Sequence, residues 1–130
     1  MRRSILLIED NAQNRYLTTF LLESHGHRVV SAEDGPGGLE LARLVGPDLI
    51  LLDIQLPLMD GYAVASALRA MEAIRHTPIV AVTSFAMLGD REKALAAGCS
   101  GYIEKPIDPD GFVAELERIS GLSLAAEGTR

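Results

Sequence analysis

The sequence predicts a doubly wound α/β fold, a five-stranded parallel sheet with helices on both faces. Three observations carry this expectation. Short apolar runs alternate with longer amphipathic segments five times along the chain. The runs Ile5–Ile8, Leu49–Leu52 and Ile79–Val82 are nearly continuous in Ile, Leu, Val and Ala, as parallel strands buried on both faces are. And 130 residues suffice for one domain of ordinary size, roughly 100–150 residues.

Taken in order, Ile5–Ile8 is the first strand and stops at Glu9-Asp10. The first helix follows, with Leu17, Phe20, Leu21 and Ser24 on one stripe and Gly26 as its stop. Arg28–Ser31 is a weaker second strand, and Leu49–Leu52 the third. Asp60 then caps a helix in which Val64, Leu68 and Met71 recur at helical spacing. After Ile79–Val82, the segment Met87–Ala97 carries few large apolar residues (Leu88, Leu95), which predicts a loosely packed helix. Gly101–Ile103 is a weaker fifth strand. Asp108-Pro109 reads as a cap with proline at the first helical position, and Phe112, Leu116 and Ile119 as the buried face of the last helix. Residues 121–130 are small and polar and read as a flexible tail.

Composition narrows the function classes. Apolar residues make up 48% and charged residues 23%, the balance of a globular domain. Twelve basic against eighteen acidic residues give a net charge of −6, which disfavours nucleic acid as a partner because a phosphate backbone is held by clustered Lys and Arg. No apolar run approaches the ~20 residues that span a bilayer, and none reads as a signal peptide, so a cytoplasmic location without membrane association is the expectation. Cys99 is the single cysteine, which excludes an internal disulfide and suits a small core residue. His25 and His27 are expected to be exposed, and with His76 they are given no role.

In a doubly wound sheet, ligands sit outside the carboxyl ends of the strands. Those positions hold Glu9 and Asp10 after the first strand, Asp53 at the third, Thr83 and Ser84 at the fourth, and Lys105-Pro106 at the fifth. Singly, each has a plainer reading. Acids at a strand end cap the next helix, a Thr or Ser is a turn residue, and a Lys-Pro is a solvated lysine beside a turn. Together they deliver three carboxylates, hydroxyls and one ammonium to one rim. Carboxylates a few Å apart repel by ~1–4 kcal/mol per pair, so one would take up a proton without compensation. A divalent cation and Lys105 resolve this. Magnesium keeps several waters and typically takes one or two carboxylates plus phosphate oxygens. Asp10 and Asp53 are the direct ligands expected, with Glu9 through water and the backbone carbonyl of Gln55 as a further oxygen. An exposed Asp53 beside such a cation suits attack on phosphorus to form an aspartyl phosphate. Lys105 would neutralise the equatorial oxygens and Thr83 would donate a hydroxyl hydrogen bond.

These residues resemble the response-regulator receiver family of two-component signalling. The matching stretches are Ile8-Glu9-Asp10-Asn11, Asp48 through Asp53 to Gly61, Val80-Ala81-Val82-Thr83-Ser84 and Gly101 through Lys105-Pro106. The resemblance covers residues 4–120 and implies a flavodoxin-like sheet of order 2-1-3-4-5 with five helices, a receiver domain over 1–120. It implies that Asp53 is the phosphoacceptor, that Glu9 and Asp10 are the acidic pair binding Mg2+, that Lys105 contacts the phosphoryl group, and that Thr83 and Tyr102 are the switch pair. Lys105-Pro106 resembles the family's cis peptide. The donor would be a histidine kinase or histidine phosphotransferase. The output would be a downstream protein effector, with a weak homodimer as a further use of the face formed by the fourth helix, fifth strand and fifth helix. Gln55 and Phe85, two residues beyond Asp53 and Thr83, flank the path of hydrolytic water. The phenyl ring at Phe85 predicts slow loss of phosphate. The stretch Ser84–Met87 with Gly89–Glu92 resembles stand-alone or hybrid-kinase receivers.

Two rivals fit less well. A haloacid-dehalogenase-type phosphatase needs a second acid two residues beyond its nucleophile, where this chain has Gln55. A non-phosphorylated interaction module on the same scaffold leaves the intact acidic set without purpose. A nucleotide-binding reading fails sooner, since Gly35-Pro36-Gly37-Gly38 lacks the lysine of a phosphate loop.

Overall fold

The computed structural model describes residues 2–84 and 89–125. Its order is β1 (Ser4–Ile8), α1 (Ala12–Ser24), β2 (Arg28–Ala32), α2 (Gly35–Val45), β3 (Leu49–Asp53), α3 (Gly61–Arg69), a 3-10 turn (Glu72–Ile74), β4 (Ile79–Thr83), α4 (Asp90–Ala96), β5 (Gly101–Glu104) and α5 (Phe112–Ser120). The five strands form one parallel sheet in the order β2-β1-β3-β4-β5. This is the flavodoxin-like topology expected.

Alternation along the strands feeds two cores. Leu6, Ile8, Ile50, Leu52 and Ala81 face one side, packed with Val64, Ala65 and Leu68 of α3, Ala42 of α2 and Ala94 of α4. Ile5, Leu7, Leu49, Leu51 and Val80 face the other, packed with Leu22 of α1 and Phe112, Val113 and Leu116 of α5. With apolar side chains on both faces, β1, β3 and β4 read as unbroken hydrophobic runs.

Several local expectations are corrected. In α1 the buried positions are Thr18 and Leu22, while Phe20 is exposed and stacks on Tyr16 with ring centroids 6.4 Å apart. A helix that covers a sheet edge beside a docked C-terminal segment needs only a narrow apolar stripe. Asp108-Pro109 is no helix start: it forms a turn closed by Gly111 N–H on the Asp108 carbonyl, and α5 begins at Phe112. The sparse packing expected of α4 holds among the described residues: its buried residue is Ala94, and Leu95 is exposed; Met87 and Leu88 lie outside the described residues.

Where a flexible tail was expected, residues 121–125 dock against the domain. Leu124 is fully buried, and its N–H and that of Ala125 donate to Glu117 Oε2 at 2.6 and 2.8 Å. His27 is buried too, not exposed. Arg3 N–H donates to its Nδ1 at 3.0 Å, so the proton sits on Nε2 and is given to the Leu124 carbonyl at 2.7 Å. His25 is half-buried, its Nδ1 2.9 Å from the Leu21 carbonyl.

Candidate functional site

Three strand ends and one connection build the site. β1 ends at Ile8, placing Glu9 and Asp10 at the rim; β3 ends at Asp53, β4 at Thr83, and β5 leads into Lys105. The acidic pair is held by its neighbours. Asn11 caps α1 by accepting from Asn14 N–H, Asn11 N–H donates to Glu9 Oε2 at 3.1 Å, and the Arg15 guanidinium donates to the carbonyls of Glu9 and Asp10 at 2.9 and 3.2 Å. Gly61, at the start of α3, lets the connection from β3 return across itself: a Cβ there would stand 2.5 Å from Ile54 Cα. Leu58 in the same connection has φ of 69° and is exposed, a left-handed conformation rare for a branched residue.

Glu9, Asp10 and Asp53 converge as expected, each offering a carboxylate oxygen within 4.8 Å of the others. Asp10 is exposed, but Glu9 and Asp53 are buried. The sequence places Asp53 at the surface, yet it is 3% exposed because its strand is central and Glu9, Gln55 and Lys105 pack against its carboxylate. Lys105 reaches in over a cis peptide bond to Pro106. Its ammonium lies 2.9 Å from Glu9 Oε1 and 3.3 Å from Asp53 Oδ2. Gln55 N–H donates to Asp53 Oδ1 at 2.9 Å.

One cation against three carboxylates leaves excess negative charge. Burial foremost, then the hydrogen bond and charge of Glu9, push the Asp53 carboxyl up to about 7, against the opposing pull of Gln55 N–H and Lys105. A clustered, under-compensated set of hard oxygen donors is what a divalent cation such as magnesium takes. The residues present fit that ion, with Asp10 supplying the open, solvent-facing side.

Thr83 is buried beside this group and Tyr102 is half-buried, packed against the core that includes Ala81 and Ala94. Phe85 lies outside the described residues. Sequence reasoning missed two contributors: Arg15 shapes the acidic loop, and the Gln55 side chain bonds Thr83 and Ser84. It also missed Arg69, which lies away from the site at the far end of α3, its guanidinium donating to the carbonyls of Gly98, Ile74, Arg75 and Thr77. A lone Arg or Gln carries no local pattern that announces a backbone carbonyl or a hydroxyl as its partner.

A parallel sheet of this order with an acidic triad and a lysine at its carboxyl edge defines a receiver domain. The chain belongs to that family: residues 5–117 match the response regulator receiver domain, a signalling module and not a conventional enzyme. It is 41% identical to the polar-differentiation response regulator DivK of Brucella ovis over 93% of this chain and 98% of that protein. Among solved structures it is similar to the receiver domain of a sensor histidine kinase from Pseudomonas aeruginosa, which holds a magnesium ion in its active-site cleft. That similarity reaches 38% identity and a TM-score of 0.84 over 94% of this chain and 100% of that one. The chemotaxis response regulator CheY4 of Vibrio cholerae matches with 26% identity and a TM-score of 0.87 over 92% and 99% of the two chains. Among the described residues no helix is long and apolar enough to cross a membrane.

Proposed function

We propose that this receiver accepts a phosphoryl group on Asp53 from a phosphohistidine of a histidine kinase or histidine phosphotransferase. We propose further that it passes the signal to a protein effector through the face of α4, β5 and α5. The observation that carries this reading is the Lys105 ammonium bridging Glu9 and Asp53 within an acidic cluster at the strand ends. In the step, a carboxylate oxygen of Asp53 forms a bond to phosphorus as the P–N bond to the donor imidazole breaks. The electron pair of that bond leaves with the ring nitrogen. Lys105, already beside Asp53 Oδ2, is placed to offset charge on the transferred oxygens. Magnesium, held by Asp10, Asp53 and the Gln55 carbonyl with Glu9 behind them, would supply the remaining positive charge when bound. Thr83 would donate its hydroxyl to the new phosphoryl group, and Tyr102 would turn inward with it. Phe85 and Gln55 would slow hydrolysis.

A single domain over residues 1–120, a weak homodimer through the same face, a cytoplasmic site of action and the absence of a nucleic-acid partner belong to the same reading. Incubation with acetyl phosphate and magnesium, followed by intact mass, tests it. One phosphate adduct that is missing from Asp53→Asn is the expected result. No adduct from any donor would favour an interaction module, and turnover of a phosphoester a hydrolase.

A further inference from the structure

We propose that Gln55 is a positioning residue that aims the Thr83 hydroxyl and ties the start of the β4–α4 connection to the state of Asp53; this rests on Asp53 being the phosphoacceptor. The backbone N–H of Gln55 donates to Asp53 Oδ1 at 2.9 Å. Its side chain crosses to the neighbouring strand end, where Nε2 donates to Thr83 Oγ1 at 2.8 Å and Oε1 accepts from Ser84 N–H at 3.3 Å. The amide has one chemically sensible orientation. A backbone N–H only donates, so the carbonyl oxygen must face Ser84, which leaves the NH2 for Thr83.

That orientation has a consequence for the hydroxyl. An amide NH2 only donates, so Thr83 Oγ1 acts as the acceptor in this contact. The one hydroxyl proton of Thr83 is therefore directed to some acceptor other than Gln55. A threonine that must donate to a phosphoryl oxygen is helped by a neighbour that engages its lone pair and does not compete for its proton.

The contacts also close a ring. Asp53 pairs with Lys105 Nζ, Lys105 N–H donates to the Thr83 carbonyl at 2.8 Å, Thr83 accepts from Gln55, and Gln55 returns to Asp53. Displacement of the Asp53 carboxylate reaches the Gln55 backbone directly. The Gln55 side chain then carries it to Ser84, the first residue past β4. Gln55 itself is exposed, so replacing its side chain removes these bonds without opening the core.

Two variants of similar length separate the parts. In Gln55→Glu one oxygen still accepts from Ser84 N–H, but the other has no proton to give and takes that of Thr83. In Gln55→Met both bonds are lost. Isotope-labelled proteins are compared by NMR with and without acetyl phosphate and magnesium, at equal adduct occupancy by intact mass. Wild type should move the amide resonances of Ser84 and Tyr102 fully. Both variants should move them by less than about half as much, and Ser84 N–H should exchange about tenfold faster in metal-free Gln55→Met. Full movement in both variants at equal occupancy, with unchanged Ser84 exchange, would overturn the inference while leaving the acceptor reading intact. No adduct on wild-type protein would overturn the acceptor reading, and this inference with it.

Discussion

The guanidinium of Arg69 donates twice to the carbonyl of Gly98, through Nε at 3.1 Å and Nη2 at 2.8 Å. This joins the end of α3 to the second residue past α4, Gly98, which has φ of 107°. The remaining donor, Nη1, reaches the carbonyls of Ile74, Arg75 and Thr77 at 2.9–3.0 Å. One side chain thus satisfies the backbone of two connections. Arg69→Met is expected to lower stability by about 2–3 kcal/mol, since hydrogen bonds from a charged donor are lost and part-buried carbonyls are left unpaired. Arg69→Lys should recover less than half, because an ammonium cannot fork between two connections. Urea unfolding of the three proteins measures both.

Asp53 should add a pH dependence to the stability of the metal-free protein. Its carboxyl is raised from 3.8 to about 7 by burial and by Glu9. A raised carboxyl disfavours the charged form in the folded state, so unfolding free energy falls as pH rises from about 4 to about 7. Asp53→Asn escapes this loss. It should be more stable than wild type above pH 7, by on the order of 1–3 kcal/mol, with the two converging near pH 4. Denaturation in the presence of chelator across that range measures the difference. A constant gap would show that Asp53 titrates normally.

Magnesium affinity should follow the acidic set. Asp10→Asn removes the exposed carboxylate of the cluster and should weaken binding by about tenfold or more. Titration calorimetry gives the constant, and circular dichroism should show the fold unchanged.

The docked C-terminal segment gives an opposite pH response. The N–H groups of Leu124 and Ala125 hold Glu117 below its ordinary 4.5. A lowered carboxyl contributes stability that is complete above about pH 4.5 and is lost as pH falls through the lower folded value. Glu117→Ala should therefore be less stable than wild type by roughly 0.5–1.5 kcal/mol at neutral pH, with the gap closing in acid. Truncation after Ser120 should cost more, since it also exposes the site that buries Leu124 and removes the acceptor of His27.

Gly61→Ala tests the connection that carries the β3 end. Its Cβ would meet Ile54 Cα at 2.5 Å and the Asp53 carbonyl at 2.9 Å, both backbone atoms that cannot rotate away. A loss of roughly 2–3 kcal/mol is expected by thermal or urea unfolding, and magnesium binding should weaken with it because the Asp53 backbone must shift.

Much of the site was legible without coordinates. Strands buried on both faces announce themselves as apolar runs, and Glu9, Asp10, Asp53, Thr83 and Lys105 stand at or just beyond four of those runs. The rule that parallel sheets bind at their carboxyl edge then gathers them. Where the pattern misled, the cause was a partner distant in sequence. Phe20 looked like part of an apolar stripe, yet the core contacts of α1 are set by Thr18 and Leu22. Leu124 looked like tail because nothing nearby shows that Glu117, His27 and the second core receive it.

Local chemistry therefore decides which residues become strands and which charges gather at their ends, because alternation and strand termination act over a few neighbouring residues. Direction, burial and pairing belong to the folded sheet. Asp53 is an acid after an apolar run in the chain. It becomes a carboxyl raised to about 7 because the folded sheet buries it and parallel strands bring Glu9, 44 residues before it, to its side, while Lys105, 52 residues after it, pulls the other way. Contacts between residues so far apart leave no periodic trace in a single sequence; they exist once the crossovers have closed.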